Sequence, residues 1–218
     1  MGSALGELKD NTVDYVEIAT KAAIGGFTDT EVAVDGLTTV MNTYGMTTVE
    51  EMSRVSDQML TAQNLGKTTF GEIASSVGNV IPIFKQAGGS TEELFAAYAI
   101  LTKNGIATSQ ATTGLKAALS NIVKPTKDAS DMAAKLGIDF TMTHMQNVGF
   151  AQFMNEIGEA CGGDVEKMSA LFGSTEALNA MLVLTSTDGM TQYNSAVESM
   201  GDASGATESA FQQMNSGI

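Results

Sequence analysis

Apolar residues recur at helical spacing through the middle of this chain. One set shares a face at positions i, i+3, i+4 and i+7: Leu94, Ala97, Tyr98 and Leu101. A second set continues the pattern in the next segment: Ala111, Leu115, Ala118, Leu119 and Ile122. This spacing predicts two consecutive amphipathic helices, separated at Asn104-Gly105. Further on, Ala177–Leu184 is apolar on nearly every side, which predicts a buried central helix.

The segments between predicted helices repeat one order of residues: a glycine, then Ser or Thr, then Glu three residues after the hydroxyl. Four segments have it: Gly25–Glu31, Gly45–Glu50, Gly66–Glu72 and Gly88–Glu93. Looser versions occur at Gly173–Glu176 and Gly205–Glu208. The hydroxyl and the carboxylate have the spacing of a capping box, and the glycine can end the preceding helix in a left-handed conformation. The pattern predicts a stack of short helices instead of one long rod.

Two prolines and one irregular stretch refine these boundaries. Pro82 interrupts an otherwise helical stretch from about residue 69 to 87, which predicts a kink or a break into two helices. Lys124-Pro125 ends one helix, and Thr126 caps the next, which closes at Leu136-Gly137. Residues Ile138–Thr141 alternate at period two, which favours an irregular stretch or a short hairpin at 138–149.

These patterns predict an all-α fold, a compact multi-helix domain of about ten to twelve short helices. We expect an N-terminal helical lobe at 4–137 and a C-terminal helical lobe at 138–218 of the same domain. Residues 1–3, Met-Gly-Ser, are typical of an artificial start, so we expect the chain to be a piece of a longer protein.

Composition narrows the classes of function. The 218 residues are 43% hydrophobic, enough for a core, and the formal net charge is −14. An acidic chain is unsuited to direct nucleic-acid binding or to docking on anionic lipid. The longest apolar run, Ala180–Leu184, is far shorter than the ~20 residues that span a bilayer. One cysteine excludes an intramolecular disulfide, and the fourteen methionines indicate adaptable packing or partner surfaces.

The candidate catalytic and metal-ligating residues each have a structural explanation. His144 and Cys161 are the only histidine and the only cysteine, and they fall on different predicted elements. A metal site or a catalytic triad needs more partners than these two supply. The pairs Glu50-Glu51 and Glu92-Glu93 lie in first helical turns, where carboxylates satisfy backbone N–H groups. We therefore expect no catalytic residue, no metal and no cofactor.

One run suggests an enzyme of a particular class. Glu208-Ser209-Ala210-Phe211 resembles the first motif of lytic transglycosylases, in which the glutamate is the general acid. The Gly-Leu-Met-Gln segment that follows this motif in those enzymes is missing here, and the run also fits the capping pattern. The interpretation of this chain as a peptidoglycan hydrolase is kept as a minor alternative, and we expect a protein that is not an enzyme.

Short motifs at helix ends follow one another in a definite order. A helix ends in Lys-x-Gly at Lys103–Gly105, the next ends in Lys124–Thr126, a Leu-Gly turn follows at Leu136-Gly137, and Phe172-Gly173 precedes an apolar helix. In this order and spacing the chain resembles the core domain of phage tail tape measure proteins, over most of its length. The resemblance implies six structural motif positions: Gly105, Lys124, Pro125, Gly137, Phe172 and Gly173.

The resemblance implies a structural role in a phage tail. Proteins of this family govern tail length and tail assembly and leave the tail on infection to aid genome delivery. Their partners are the tail tube protein, tail assembly chaperones and tail tip or baseplate proteins, and self-association is also expected. The implied location is the virion tail, after synthesis in the host bacterial cytoplasm. The alternative is a non-enzymatic helical interaction or scaffold module of a secreted or prophage-derived protein.

Overall fold

The computed structural model describes the backbone of residues 2–216 and the side chains of residues 12–216. This part of the chain forms fourteen α-helices and contains no strand, which confirms the all-α class. The helices are α1 (Gly2–Gly25), α2 (Thr30–Tyr44), α3 (Val49–Leu65), α4 (Phe70–Ser76), α5 (Ile81–Gln86), α6 (Thr91–Lys103), α7 (Thr108–Val123), α8 (Lys127–Leu136), α9 (Met142–Val148), α10 (Phe150–Cys161), α11 (Val165–Leu171), α12 (Thr175–Leu184), α13 (Thr187–Gly201) and α14 (Ala206–Ser216).

The expected hairpin at 138–149 is wrong, because most of this stretch is the short helix α9. The Thr141 hydroxyl accepts a hydrogen bond from the backbone N–H of His144 and starts that helix. Within 138–149, only residues 138–141 and Gly149 are not helical. Their alternation arises because Ile138 is half-buried and Phe140 is buried, while the residues between them face solvent. An extended linker lying on helices therefore produced a period of two without strand pairing. With α9 included, the described part of the chain has fourteen α-helices, more than the expected ten to twelve.

Two of the predicted capping boxes form as expected. Thr69 caps α4 and Ser90 caps α6, and each hydroxyl accepts from the backbone N–H of the glutamate three residues later. The carboxylates of Glu72 and Glu93 return the bond to the backbone N–H of the capping residue, at 2.9 Å in both boxes. These helices start where the sequence pattern places them.

Two other boxes differ from the prediction. At α3 the box is Thr48–Glu51 instead of Thr47–Glu50, and the Glu51 carboxylate accepts from the backbone N–H groups of both threonines. At α2 no box forms, because Asp29 is the N-cap and its side chain makes no capping bond. The Thr28 side chain instead packs against α4, where a Cβ on Gly71 would stand 2.7 Å from Thr28 Oγ1.

Helix boundaries at the two prolines and at Gly137 match the prediction. A 3-10 turn at Val77–Asn79 separates α4 from α5, and Pro82 lies in the first turn of α5. Proline is tolerated there because the first N–H groups of a helix have no partner within it. Thr126 caps α8, which Gly137 ends at φ +70°. A left-handed φ of this size suits glycine, since other residues are strained there.

The central buried helix is α6, so the placement of that role on Ala177–Leu184 is wrong. Ten of the thirteen α6 residues are buried, whereas α12 buries one face only. The burial of α6 could not be predicted from its hydrophobic pattern, because α6 contains polar residues that form hydrogen bonds inside the core. The Tyr98 hydroxyl lies 2.6 Å from the Thr112 hydroxyl, and the Thr102 hydroxyl accepts from the backbone N–H of Lys67.

The helices pack in successive layers around α6. Helices α1, α2 and α14 cover α3 and α4 on one side, α7 and α12 pack together on the other, and α8 packs on α11. Pairs of helices from both halves of the chain, α7 with α12 and α6 with α13, share one hydrophobic core. The division into lobes at 137–138 stays a prediction. No helix in the described part of the chain is long and apolar enough to cross a membrane.

Candidate functional site

The six motif positions lie at the ends of helices and at the junctions between them. Gly105, at φ +90°, follows α6, and Lys124 with Pro125 joins α7 to α8. Gly137 ends α8, and Phe172-Gly173 joins α11 to α12. Phe172 is buried, Pro125 is half-buried, and the other four are exposed. Their spacing therefore reflects helix junctions, and a shared functional role for them stays a prediction.

Phe172 anchors an aromatic cluster beneath the linker at 138–141. Its ring meets Phe140 edge-on at a centroid distance of 5.4 Å, and Phe140 stacks on Phe153 at 6.1 Å. Aromatic pairs at these distances contribute beyond their buried area. The cluster ties the linker to α10 and to the end of α11.

His144 and Cys161 have separate surroundings. His144 Nε2 lies 2.7 Å from Glu156 Oε2, which joins α9 to α10. This hydrogen bond is the main cause that lowers the pKa of the Glu156 carboxyl. Cys161 is buried in α10, and burial raises the pKa of its thiol. In the part of the chain with described side chains, no three His, Cys, Asp or Glu residues are grouped to hold a metal ion.

Two of the four carboxylates in the pairs Glu50-Glu51 and Glu92-Glu93 serve as caps. Glu51 and Glu93 complete capping boxes, and Gln58 Nε2 donates to Glu92 Oε1 at 2.8 Å. The backbone N–H groups of Thr48 and then Thr47 lower the pKa of the Glu51 carboxyl. The Glu51 carboxylate is therefore stabilised in its charged form, as expected of a group that accepts from backbone N–H donors.

The surroundings of Glu208 lower the pKa of its carboxyl, whereas a general acid needs a raised pKa. Lys21 and Gln212 both donate to its carboxylate, at 2.7 and 2.6 Å. The bond from Lys21, followed by that from Gln212, lowers the pKa of the Glu208 carboxyl. A glycosidase acid needs a raised pKa so that it carries a proton near neutral pH. The environment of Glu208 therefore fits a surface ion pair between α1 and α14.

The start of α14 is held by a residue that the sequence patterns did not indicate. Asp57, buried in α3, accepts from the backbone N–H groups of Gly205 at 2.9 Å and Thr207 at 2.7 Å. Beside it, the Ser56 and Thr207 hydroxyls lie 2.8 Å apart. One sequence feature could have indicated this contact: three consecutive polar residues, Ser56-Asp57-Gln58, interrupt an apolar helix face. All three residues are buried, and buried polar side chains need hydrogen-bond partners, which here come from distant segments of the chain.

An apolar groove lies on the outer layer, between α1, α2 and the start of α3. Its volume is about 430 Å³, and it is lined by Tyr15, Val16, Val34, Thr38, Met41, Asn42, Met46, Thr47 and Met52. The Tyr15 hydroxyl donates to the Thr47 carbonyl oxygen at 2.6 Å, which fixes the groove walls to each other. An adjoining cleft shares Val34 and Thr38 with the groove and is lined by the carboxylates of Glu31 and Asp35.

Comparison with known proteins gives a consistent set of relatives. The sequence profile of a family described as phage-related minor tail protein matches residues 3–173. A probable tape measure protein of Clostridium phage phiCD119 is 29% identical over 222 residues, covering 99% of this chain and 22% of that protein. The tape measure protein of Pneumococcus phage Dp-1 is 25% identical over 188 residues, covering 84% of this chain and 16% of that protein.

The chain thus spans about a fifth of the length of these relatives. No solved structure matches it significantly.

Proposed function

The chain belongs to the family of phage-related minor tail proteins, and we propose that it is a folded segment of a tape measure protein that governs tail length and assembly. The observation that carries this is the family match over residues 3–173, together with two relatives that are both named tape measure proteins. The role includes release on infection to aid genome delivery. The place of action is the virion tail, after synthesis in the host cytoplasm.

The fold defines what this segment contributes to such a protein. A tape measure that works by extended helix adds 1.5 Å per residue, so 218 residues in one helix reach about 330 Å. Here the same residues form short helices around one core, and α1 packs against α14. We therefore assign length measurement to other parts of the protein and a compact structural role to this segment.

The same proposal covers partners and chemistry. Tail tube protein, tail assembly chaperones and tail tip or baseplate proteins are the expected partners, with self-association of the tape measure protein in the tail. The role is structural and not enzymatic. The carboxylates of Glu51, Glu93 and Glu208 support this, because Glu51 and Glu93 complete capping boxes and Glu208 forms an ion pair with Lys21.

Tail length in phage mutants tests the proposal. In a phage that encodes this segment, deletion of the gene should abolish normal tails. In-frame duplication of the segment should lengthen the tail by far less than about 330 Å, the increment of a 218-residue helix. Duplication of an equally long helical stretch of the same protein is the matched control and should add the full increment, measured by electron microscopy.

Two outcomes would contradict the proposal of a compact tape measure segment. Normal tails in the deletion mutant exclude the tail role and favour the interaction module of a secreted or prophage-derived protein. A full increment from the duplicated segment shows that it is extended in the tail.

A further inference from the structure

The groove between α1, α2 and α3 is built to receive an apolar partner. Two of its lining residues are substantially exposed, Val16 by 54% and Val34 by 37%. Three methionines, Met41, Met46 and Met52, form part of its wall. Methionine side chains adapt to varied apolar surfaces, and they are common where a protein binds a partner helix. The Tyr15–Thr47 hydrogen bond fixes the groove walls relative to each other before a partner binds, which reduces the ordering cost of binding.

The length of the groove fits about two turns of a helix. Its α2 wall runs from Val34 to Asn42, a rise of about 12 Å. Apolar residues at i, i+3 or i+4, and i+7 of a partner helix cover about the same length. The groove therefore accommodates one amphipathic helix face with two or three apolar anchors.

The charge beside the groove selects a basic partner. Glu31 and Asp35 line the cleft directly across Val34, and Asp14 and Glu17 flank the α1 wall in sequence. No lysine or arginine is present among the described residues that line the groove or the cleft. Lys21, on the same helix as Val16, is already engaged by Glu17 and Glu208. Acidic surroundings raise the encounter rate of a basic partner and disfavour an acidic one.

We infer that this groove docks an amphipathic helix of a partner protein, with an apolar stripe and a lysine- or arginine-rich flank. A second copy of this chain is a poor occupant, because two bodies of net charge −14 repel each other. The inference stands on the groove alone and does not require the tail function.

Synthetic peptides and the 218-residue chain test this directly. The probe is a helical peptide of about 14 residues with leucine at i, i+3, i+4 and i+7 and lysine on the flanks. One control peptide replaces lysine by glutamate, and another scrambles the leucine and lysine positions. Fluorescence anisotropy should show the amphipathic lysine peptide binding at least about tenfold more tightly than both controls.

Protein variants locate the site. Val34→Arg places a positive charge on an exposed groove position and should weaken binding by about tenfold without loss of the fold. The matched control is Val165→Arg, at a valine that is 52% exposed and remote from the groove, which should bind as the parent does. Glu31→Gln with Asp35→Asn should weaken binding and reduce its salt dependence. Glu198→Gln with Asp202→Asn should change neither.

Methionine methyl NMR supplies an independent readout. On titration with the lysine peptide, the methyl signals of Met41, Met46 and Met52 should shift, while those of Met168 and Met190, which line a separate cavity, should not. Equal binding of the glutamate or scrambled peptide overturns the inference. So do unchanged affinity in Val34→Arg, shifts confined to other methionines, or groove shifts produced by raising the protein concentration alone.

Discussion

At the scale of single residues, polar side chains in this protein mainly decide where helices begin. The capping boxes at Thr48, Thr69 and Ser90 satisfy backbone N–H groups from within a few residues. Asp57 does the same from a distance, because its buried carboxylate accepts from two N–H groups at the start of α14. A local cap can be seen in sequence, whereas a cap supplied by another helix can be found only once the helices are packed.

The Asp57 contact gives the first stability prediction. Asp57→Ala removes two charge-assisted hydrogen bonds and leaves two N–H groups without their partner, that of Thr207 buried, which should lower the free energy of unfolding by about 2–4 kcal/mol. Urea denaturation measures this, and hydrogen exchange should show α14 amides losing protection first. Asp202→Ala, at an exposed aspartate close in sequence to α14, is the control and should stay within about 0.5 kcal/mol. Equal, small effects in both variants contradict the role assigned to Asp57.

At the scale of elements, the contact between α7 and α12 shows how helix faces are matched. A Cβ on Gly114 of α7 would stand 2.6 Å from the Glu176 carbonyl oxygen and 2.9 Å from Ala180 Cβ, both on α12. The absence of a side chain at Gly114 therefore lets the two helices approach closely. The sequence shows an interior glycine, but only the packing shows what it approaches.

Two glycine substitutions test the close approach of α7 to α12. Gly114→Ala favours the helix intrinsically, yet it must push α12 away, and the net loss in the free energy of unfolding should be about 1–3 kcal/mol. Gly201→Ala lies at the end of α13 with open space around its Cβ position, so it should be neutral or stabilise by up to about 0.5 kcal/mol. Thermal and chemical denaturation compare the two. Stabilisation by both substitutions shows that α7 and α12 do not pack as closely as described.

At the scale of the whole molecule, short helices close around α6 and bring the first helix, α1, against the last, α14. The contacts of α1 with α14 include the Lys21–Glu208 ion pair at 2.7 Å and the approach of Gly25 to Ala210. Residues 187 positions apart in sequence are thus neighbours in space. A chain folded this way adds little to the length of an extended protein.

Small-angle X-ray scattering of the 218-residue chain measures this compactness. A globule of this length has a radius of gyration of about 17 Å. A single helix of about 330 Å has one of about 95 Å. We expect a value near the first, and the same result in the presence of salt, since apolar burial and not surface charge holds the core. A value approaching that of the rod refutes the folded segment.

The sequence by itself determined the all-α class and most helix boundaries, because capping hydroxyls, glycines and prolines act within a few residues along the chain. It also supported the family, through the order of short motifs at those boundaries. Only the tertiary structure decided which helix is central, that residues 142–148 are helical, and that Asp57 caps α14. The groove also exists only in the tertiary structure, because its residues come from separate segments that meet only after packing: Tyr15, Val34, Met46 and Met52. These features depend on contacts between residues that are far apart in sequence, and no local pattern encodes such contacts.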